Sequence, residues 1–352
     1  MKLFVCDHCG NTVYFENAVC ERCGHRLGYL PDRNALVSLA EANGLWSTPA
    51  FAGETYIFCD NARHGACNWL IPAMPGGDIY CSACRHNDTI PALSDPLNLS
   101  RWQIIERAKK RLFYSLLRLQ LPLHTRSEDP EHGLSFRFLA DMPVEPIPVL
   151  TGHDSGIITI ALAEADDAER ESRRTAMGEP YRTLLGHFRH EIGHHYWDLL
   201  VAGTPALARF RALFGDETAD YAQSLASYYA NGAPAGWPQT HISAYATSHP
   251  WEDFAETFAH YLHITDTVEM AAAFGVRARP KTEDISLAVR LDFDPYAAPD
   301  MQTIIDNWVP LAAMLNNLNR AMGHPDAYPF ILTPQVIEKL GFLHDLVHGR
   351  MG

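Results

Sequence analysis

Hydrophobic residues recur at spacings of three and four along one stretch in the middle of the chain, which is the pattern of an amphipathic helix. The residues that form this apolar face are Leu184, Leu185, Phe188, Ile192, Tyr196 and Leu199. Pro180 suits the first turn of such a helix, because its ring fixes φ and its missing N–H would be unpaired there. The pattern therefore predicts a helix over residues 180–201 with one face in the protein core.

This predicted helix carries the sequence His-Glu-Ile-Gly-His at residues 190–194. At about 100° per residue, His190 and His194 lie on one face of the helix, where their imidazoles can share a zinc ion. Glu191 stands beside them and is predicted to act as general base on the attacking water. The alternative is a chance pattern, since the chain has 18 histidines that a helix can carry exposed or hydrogen-bonded. The amphipathic context favours the zinc site.

Two stretches ahead of this helix have the residue pattern of β-strands. Residues 135–139 alternate apolar and polar side chains, and residues 156–162 are mostly apolar or β-branched. A strand directly before the metal-binding helix of a zinc peptidase commonly lies along the cleft and pairs with an extended substrate. Residues 156–162 therefore have two interpretations, a substrate-pairing strand or an internal strand, and the sequence does not decide between them.

Helical patterns occupy much of the remaining chain. Ser100 precedes Gln103 at capping-box spacing, which predicts a helix over residues 100–119. Its cationic side chains are predicted to form a solvated face: Arg107, Lys109, Lys110 and Arg111. Residues 166–174 are dense in charge and predict an exposed connection. The part from about residue 266 onward is predicted to be helical. Further helices are predicted over residues 204–230, 301–322 and 334–347.

All eight cysteines lie in the first quarter of the chain and form two groups of four. The first group is Cys6, Cys9, Cys20 and Cys23, and the second is Cys59, Cys67, Cys81 and Cys84. A short C-x-x-C pair can place two thiolates on one tetrahedral zinc, and disulfides are the alternative. The longer spacing from Cys59 to Cys67 requires a loop, in which His64 is a competing ligand.

Both cysteine groups supply four thiolates and leave no position open for water, so the sequence predicts two structural zinc ions rather than catalytic ones. Residues 1–92 are therefore predicted to be tandem zinc ribbons, whose metal sites replace a hydrophobic core. Residues 91–96 have a proline at each end and are predicted to link the ribbons to the rest of the chain.

The composition is that of an ordinary globular protein, with 47% hydrophobic and 20% charged residues among 352. No run of 18 apolar residues predicts a membrane span, and little room for a signal peptide precedes Cys6. The cytoplasm is therefore the expected location. The formal net charge of −14 disfavours a nucleic-acid partner, which needs concentrated Lys and Arg, and leaves a peptide or protein substrate open.

A catalytic zinc usually has three protein ligands, so the two histidines need a partner elsewhere in the chain. The best candidate is Glu252, in a predicted helix whose apolar face is formed by Phe254, Phe258, Tyr261 and Leu262. Glu256 lies one turn further on and can orient a zinc-bound histidine. Competing ligands are Glu256 itself, Asp253 and His260, and an exposed acidic pair is the alternative to any ligand role.

With Glu252 and Glu256 beyond its His-Glu-x-x-His helix, the chain resembles the gluzincin metallopeptidases, whose third zinc ligand is a glutamate on a second helix. The resemblance implies that Glu252 is this ligand and that Glu256 contacts a zinc-bound histidine, as an acid does in thermolysin-like enzymes. Tyr245 stands seven residues before Glu252, as a tyrosine does in lethal-factor-like peptidases. A phenol there is predicted to donate a hydrogen bond to the oxyanion, and the alternative is a tyrosine that only packs in its loop.

The chain also departs from these patterns. Trp251 stands where the thermolysin pattern has an asparagine before the ligand glutamate, and Leu200 stands where longer zincin motifs have a third histidine. Cysteine ribbons ahead of a peptidase core make nearly the whole chain similar to a group of bacterial zinc-binding metallopeptidases.

The sequence therefore predicts an α+β protein, with tandem zinc ribbons over residues 1–92 and a mainly α-helical, zincin-like metallopeptidase domain with a small sheet over residues 97–352. It predicts a zinc-dependent peptidase with three zinc ions per chain, one catalytic and two structural. The alternative, from a different class, is a non-catalytic zinc-stabilised module that binds protein partners through its ribbons. Glu191 argues against it, since a purely structural site does not need that carboxylate.

Overall fold

The computed structural model describes residues 1–141, 149, 151–177, 183–283 and 285–351. The chain forms two compact units, Met1–Arg170 and Glu171–Gly352. The first unit contains the two cysteine groups and short β-strands, and the second is mainly helical. The prediction of an α+β fold, with a zinc-ribbon region followed by a mainly helical part and small sheets, is confirmed. Pro180, predicted in the first helical turn, lies outside the described residues.

The first unit begins with two antiparallel sheets. They consist of β1 (Phe4–Val5), β2 (Thr12–Val13), β3 (Arg26–Leu30), β4 (Ala35–Ala42), β5 (Leu45–Ser47), β6 (Tyr56–Phe58) and β7 (Leu70–Pro72). Strands β1 and β2 form a hairpin, and β3 to β7 form a five-stranded sheet in chain order. A small cluster of buried side chains holds this sheet: Leu30, Val37, Leu39, Tyr56 and Leu70.

A second, mixed sheet completes the first unit together with one long helix. Its elements are β8 (Asn87–Thr89), α1 (Pro96–Arg118), β9 (Ser135–Leu139), β10 (Gly152–Asp154) and β11 (Ile157–Ala161). The strand order is β10-β11-β9-β8, with β9 parallel to both β8 and β11. Strand β11 is thus internal, because β10 pairs with it on one side and β9 on the other. The interpretation of residues 156–162 as a substrate-pairing strand is wrong.

The helix α1 starts earlier than its capping box predicts. Asp95 is its N-cap, with a side-chain oxygen that accepts a hydrogen bond from the Leu97 N–H at 2.8 Å. Ser100 lies inside the helix, where its hydroxyl donates to the Leu97 carbonyl at 2.9 Å. The prediction of a start at Ser100 is wrong because Asp-Pro is the stronger helix start: Asp accepts from the first turn and Pro96 needs no donor partner there.

The second unit is built around α6, a long helix that is buried on several sides. Its elements are α3 (Leu184–Leu200), α4 (Ala206–Phe214), α5 (Tyr221–Asn231), α6 (Pro250–Ala273), β12 (Arg277–Ala278), β13 (Val289–Arg290), α7 (Met301–Ala321) and α8 (Pro334–Val347). A further helix, α2 (Asp167–Met177), replaces the exposed connection predicted for residues 166–174. The stretch 204–230 is two helices because Gly215, with φ of 107°, ends the first. The predicted helices 301–322 and 334–347 are confirmed as α7 and α8.

Helices α3 and α6 approach each other closely at Gly193. A Cβ atom placed on Gly193 would lie 2.9 Å from the Cα of Ala255 and 3.2 Å from the Cβ of Phe258. Only a residue without a side chain fits there. On either side the helices bury large apolar groups, including Tyr196, whose ring stacks on Phe258 with centroids 5.7 Å apart. The approach sets the distance between the His-Glu-x-x-His helix and the helix that carries Glu252.

Replacing Gly193 by alanine tests this constraint. The added methyl group has no space, and we expect overpacking of about 1–3 kcal/mol to outweigh the gain in helix propensity of about 0.5–1 kcal/mol. Gly341→Ala is the matched control, since Gly341 lies inside α8 with nothing within 4 Å of its added Cβ. Urea unfolding should show Gly193→Ala less stable and Gly341→Ala slightly more stable than the native protein. A Gly193→Ala protein as stable as the native one would contradict the packing argument.

Candidate metal centres

The first cysteine group brings its four sulfurs together at two similar turns. The Cys6 and Cys23 sulfurs are 3.8 Å apart and those of Cys9 and Cys20 are 3.6 Å apart. A tetrahedron with Zn–S bonds of about 2.3 Å has edges of roughly 3.8 Å. These separations are too long for disulfides, and all eight cysteines are free. The donor set and its spacing fit a four-thiolate zinc ion.

The second group has the same spacing, with the sulfurs of Cys67 and Cys81 3.7 Å apart. A turn of 3-10 helix, Asp60–His64, carries the chain from Cys59 towards Cys67. All four sulfurs of this group lie within 4.8 Å of one another. His64, the competing candidate, is not part of the cluster; its Nε2 accepts a hydrogen bond from Arg63 at 3.1 Å.

Burial controls the ionisation of the second group. It raises the pKa of the Cys67 and Cys81 thiols well above the usual value. Hydrogen bonds from the neighbouring thiols, assisted by the charge of Lys110, lower the pKa of Cys84. Four buried thiols can be deprotonated together only if a cation compensates them. The site is therefore chemically suited to a divalent metal.

A buried lysine lies against this cluster. The Lys110 ammonium donates to the Glu106 carboxylate at 2.8 Å and to the Ala66 carbonyl at 2.9 Å, and lies 3.5 Å from the Cys84 sulfur. Lys109 pairs with the other Glu106 oxygen at 2.8 Å. The predicted solvated face is therefore wrong for Lys109 and Lys110, which are 0% and 4% exposed. Buried charges are retained where they are paired, and here both ammonium groups share the Glu106 carboxylate while Lys110 also lies against the Cys84 sulfur.

Removing the charge of Lys110 should weaken the second cysteine site. Lys110→Met leaves one oxygen of the buried Glu106 without its partner, so we expect the free energy of unfolding to fall by about 3–5 kcal/mol. A chelator should also remove zinc from this site faster than in the native protein. Arg107→Met is the matched control, because Arg107 is exposed on the same helix, and it should stay within about 0.5 kcal/mol. Equal unfolding midpoints in urea for the two variants would contradict the assigned role.

The third cluster lies in the second unit, where α3 and α6 approach. Nε2 of His190 is 3.2 Å from Nε2 of His194 and 3.0 Å from Oε2 of Glu252. Nε2 of His194 is 3.5 Å from the same Glu252 oxygen. Three ligands of a tetrahedral zinc at about 2.0–2.1 Å lie roughly 3.3 Å from each other. The three atoms thus form the triangle that such an ion requires.

The hydrogen bonds around this cluster leave unshared electron pairs pointing towards its centre. Nδ1 of His190 donates to the Glu256 carboxylate at 2.7 Å, so its Nε2 presents a lone pair towards the Glu252 oxygen. That Oε2 atom is buried and has no hydrogen-bond partner among the described residues. Lone pairs held this close without a donor between them are unfavourable unless a cation binds there. The residues present therefore fit a metal ion.

Glu256 is held by two donors. Besides the His190 imidazole, the Ser243 hydroxyl donates to its other oxygen at 2.6 Å. Burial raises the pKa of Glu256, but the hydrogen bonds from His190 and Ser243 and the nearby imidazoles together outweigh it and lower the pKa to about 2. The carboxylate is therefore anionic at neutral pH and fixes the orientation and tautomer of His190.

The other candidate ligands have different partners. Asp253 forms a buried ion pair with Lys339 at 2.5 Å, and burial raises the pKa of Asp253 to about 7. His260 is hydrogen-bonded to the Tyr328 hydroxyl at 2.8 Å, and burial lowers its pKa to about 4. Among the candidates, the structure thus brings Glu252 together with His190 and His194.

Aromatic residues to which the sequence analysis assigned no role at the site lie beside this cluster. The ring of Trp251 lies 4.0 Å from that of His194, centroid to centroid. The Tyr221 hydroxyl donates to Oε1 of Glu252 at 2.6 Å. Burial and the Glu252 charge raise the pKa of Tyr221, so the phenol keeps its proton. Tyr221 lies on α5, 31 positions before Glu252, and no motif in the sequence connects the two.

Tyr245 lies beside the metal ligands as well. It begins a short 3-10 turn, Tyr245–Thr247, and its ring centroid is 6.0 Å from that of His190. Ser243, which holds Glu256, also accepts the Ala246 N–H at 3.1 Å and so fixes this turn. Burial and the charge of Glu252 raise the pKa of Tyr245, which keeps its phenol protonated and able to donate.

The fold and the three clusters define a zinc-binding protein with a cysteine-rich N-terminal region. A family model described as "Putative zinc-binding metallo-peptidase" matches residues 98–346, and one described as "zinc-ribbon domain" matches residues 3–95. The chain belongs to this family of zinc-binding metallo-peptidases.

Curated relatives come from Mycobacterium bovis and from two strains of Mycobacterium tuberculosis. Each is 43% identical over 348 residues, which covers 99% of this chain and 95% of the relative, and each is described as an uncharacterized protein. No solved structure matches the chain. Among the described residues, no helix combines the length and apolar character needed to cross a membrane.

Proposed function

We propose that the protein is a zinc-dependent peptidase of the gluzincin type. The observation that carries the proposal is the triangle formed by Nε2 of His190, Nε2 of His194 and Oε2 of Glu252, with sides of 3.0 to 3.5 Å. The two histidines and Glu191 come from one helix and the carboxylate from a second, which is the arrangement that the resemblance to gluzincins implies. Family membership supports a peptide substrate.

His190, His194 and Glu252 would hold the zinc ion, which would supply Lewis-acid chemistry by polarising a peptide carbonyl and lowering the pKa of a bound water. Glu191 follows His190 directly on α3 and is 9% exposed. As general base it accepts the proton of the attacking water, and it then delivers that proton to the leaving amine. Glu256 orients His190, and Tyr245 donates a hydrogen bond to the oxyanion that develops on the carbonyl.

The two cysteine groups hold structural zinc ions, which makes three zinc ions per chain with the catalytic one. Their complete thiolate shells support this assignment, since neither leaves a position for water or substrate. We further propose a division into a ribbon region, residues 1–92, and a peptidase domain, residues 97–352; the separate family matches to the two parts support it.

The Glu191→Gln variant tests the peptidase proposal. The native chain, incubated with a peptide library, should cleave it, and the variant should lose activity by about 10²–10⁴-fold because it has no general base. Metal analysis should give three zinc ions per chain in both proteins, since the substitution leaves every proposed ligand in place. Cleavage retained by Glu191→Gln would contradict the mechanism. No cleavage by a native protein with all its zinc would favour the non-catalytic binding module.

Replacing Tyr245 by phenylalanine tests the oxyanion role. The ring and its packing remain, while one donor is removed. We expect kcat to fall by about 10²–10³-fold with KM and zinc content nearly unchanged, because the bond forms fully only in the transition state. Steady-state kinetics on a peptide found by the library measure the change. Native kcat in the variant would show that Tyr245 only packs against the site.

A further inference from the structure

The two oxygens of Glu252 have different environments. Oε2 lies 3.0 and 3.5 Å from the two imidazole nitrogens, whereas Oε1 accepts the Tyr221 hydroxyl at 2.6 Å. The residue is 1% exposed, so water does not compete with either contact. A carboxylate whose second oxygen is already hydrogen-bonded at this distance binds a metal through the first oxygen alone.

Tyr221 is held in place from outside the metal cluster. It is the first residue of α5, whose N-cap Asp220 accepts the Gln223 N–H at 2.9 Å. The His249 ring packs edge-on against the phenol, with centroids 5.2 Å apart. Nε2 of His249 donates to the Ala219 carbonyl at 3.1 Å. The start of α5 is thus fixed at the residue that reaches Glu252.

The same imidazole fixes the helix that carries Glu252. His249 is the N-cap of α6, and its Nδ1 accepts the Trp251 N–H at 3.1 Å. One ring therefore ties together the N-termini of the two helices. These two hydrogen bonds hold the starts of α5 and α6 next to each other. The distance between the Tyr221 phenol and the Glu252 carboxylate therefore depends on both helix starts and not on the Tyr221 rotamer alone.

We propose that Tyr221 is a positioning residue of the metal centre, which holds Glu252 as a one-oxygen ligand and keeps a coordination position open for water. This inference rests on the proposed role of Glu252 as the third zinc ligand. Without the hydroxyl, Oε1 is free to bind the metal as well. A two-oxygen carboxylate occupies the position that the water needs.

The phenol can be altered with little damage to the fold. Helix α5 contains no buried residue, and Tyr221 itself is 38% exposed. Tyr221→Phe keeps the ring contacts with His249 and Trp251 and removes the donor. Tyr229→Phe is the matched control, since Tyr229 lies on the same helix and is 65% exposed.

The experiment compares these variants in the full chain, with zinc kept in both cysteine groups and the third site emptied by a mild chelator. Zinc titration against a competing chelator should show binding about 10–100-fold weaker in Tyr221→Phe and unchanged in Tyr229→Phe. Cobalt added to the third site reports coordination number, because four-coordinate cobalt absorbs visible light much more strongly than five-coordinate cobalt. The band should lose intensity in Tyr221→Phe alone.

A double-mutant cycle with Glu252→Ala separates this role from a general loss of structure. In the Glu252→Ala background, Tyr221→Phe should cause no further loss of zinc affinity, since the hydroxyl acts through the carboxylate. Native zinc affinity and an unchanged cobalt band in Tyr221→Phe would overturn the inference, as would an equal loss in both backgrounds. An inactive native protein would overturn the peptidase proposal and leave this result readable, because neither measurement needs turnover.

Discussion

The close approach of α3 and α6 at Gly193 is the constraint on which the third cluster depends. A Cβ atom on Gly193 would lie only 2.9 Å from the Cα of Ala255. Within one turn of this contact, Nε2 of His190 and Nε2 of His194 on α3 lie 3.0 and 3.5 Å from Oε2 of Glu252 on α6. If a methyl group on residue 193 pushed the two helices apart, the Glu252 carboxylate would move away from both imidazoles. The glycine of the motif is therefore as much a part of the metal site as its ligands.

Buried charge is handled in the same way in both units, by pairing each buried lysine with a buried carboxylate. In the first unit Lys110 reaches Glu106 and a cysteine sulfur, and in the second unit Lys339 reaches Asp253. These lysines are 4% and 2% exposed. The desolvation cost of such groups is offset only when each charge has an opposite charge or several donors nearby. Each unit thus has a buried ion pair beside its metal ligands. The Lys110 pair lies against Cys84, and the Lys339 pair involves Asp253, the residue after Glu252 on α6.

The sequence predicts those parts of the site that depend on local spacing. Short C-x-x-C pairs and two histidines one turn apart place their donors together in any helix or turn that forms. For the third ligand the sequence predicts Glu252 only as the best of several candidates, because α6 buries Glu252, Asp253 and Phe254 in succession, and no polar face marks the side that meets α3. At about 100° per residue, neighbouring acids point to different helices. The roles of Tyr221 and Lys110 could not be predicted, since Glu252 and Cys84, which they contact, are distant from them in sequence.

The position of Glu252 in its own helix also suits it to bind a cation. It is the third residue of α6, after Pro250 and Trp251, where unpaired backbone N–H groups and the helix dipole favour an anion. A carboxylate buried in the middle of a helix would lack this field, and burial alone would favour its protonated form. His249 caps this helix, because its Nδ1 accepts the Trp251 N–H. The helix dipole at this first turn stabilises the anionic form of Glu252. Local capping chemistry therefore prepares the ligand before the metal binds.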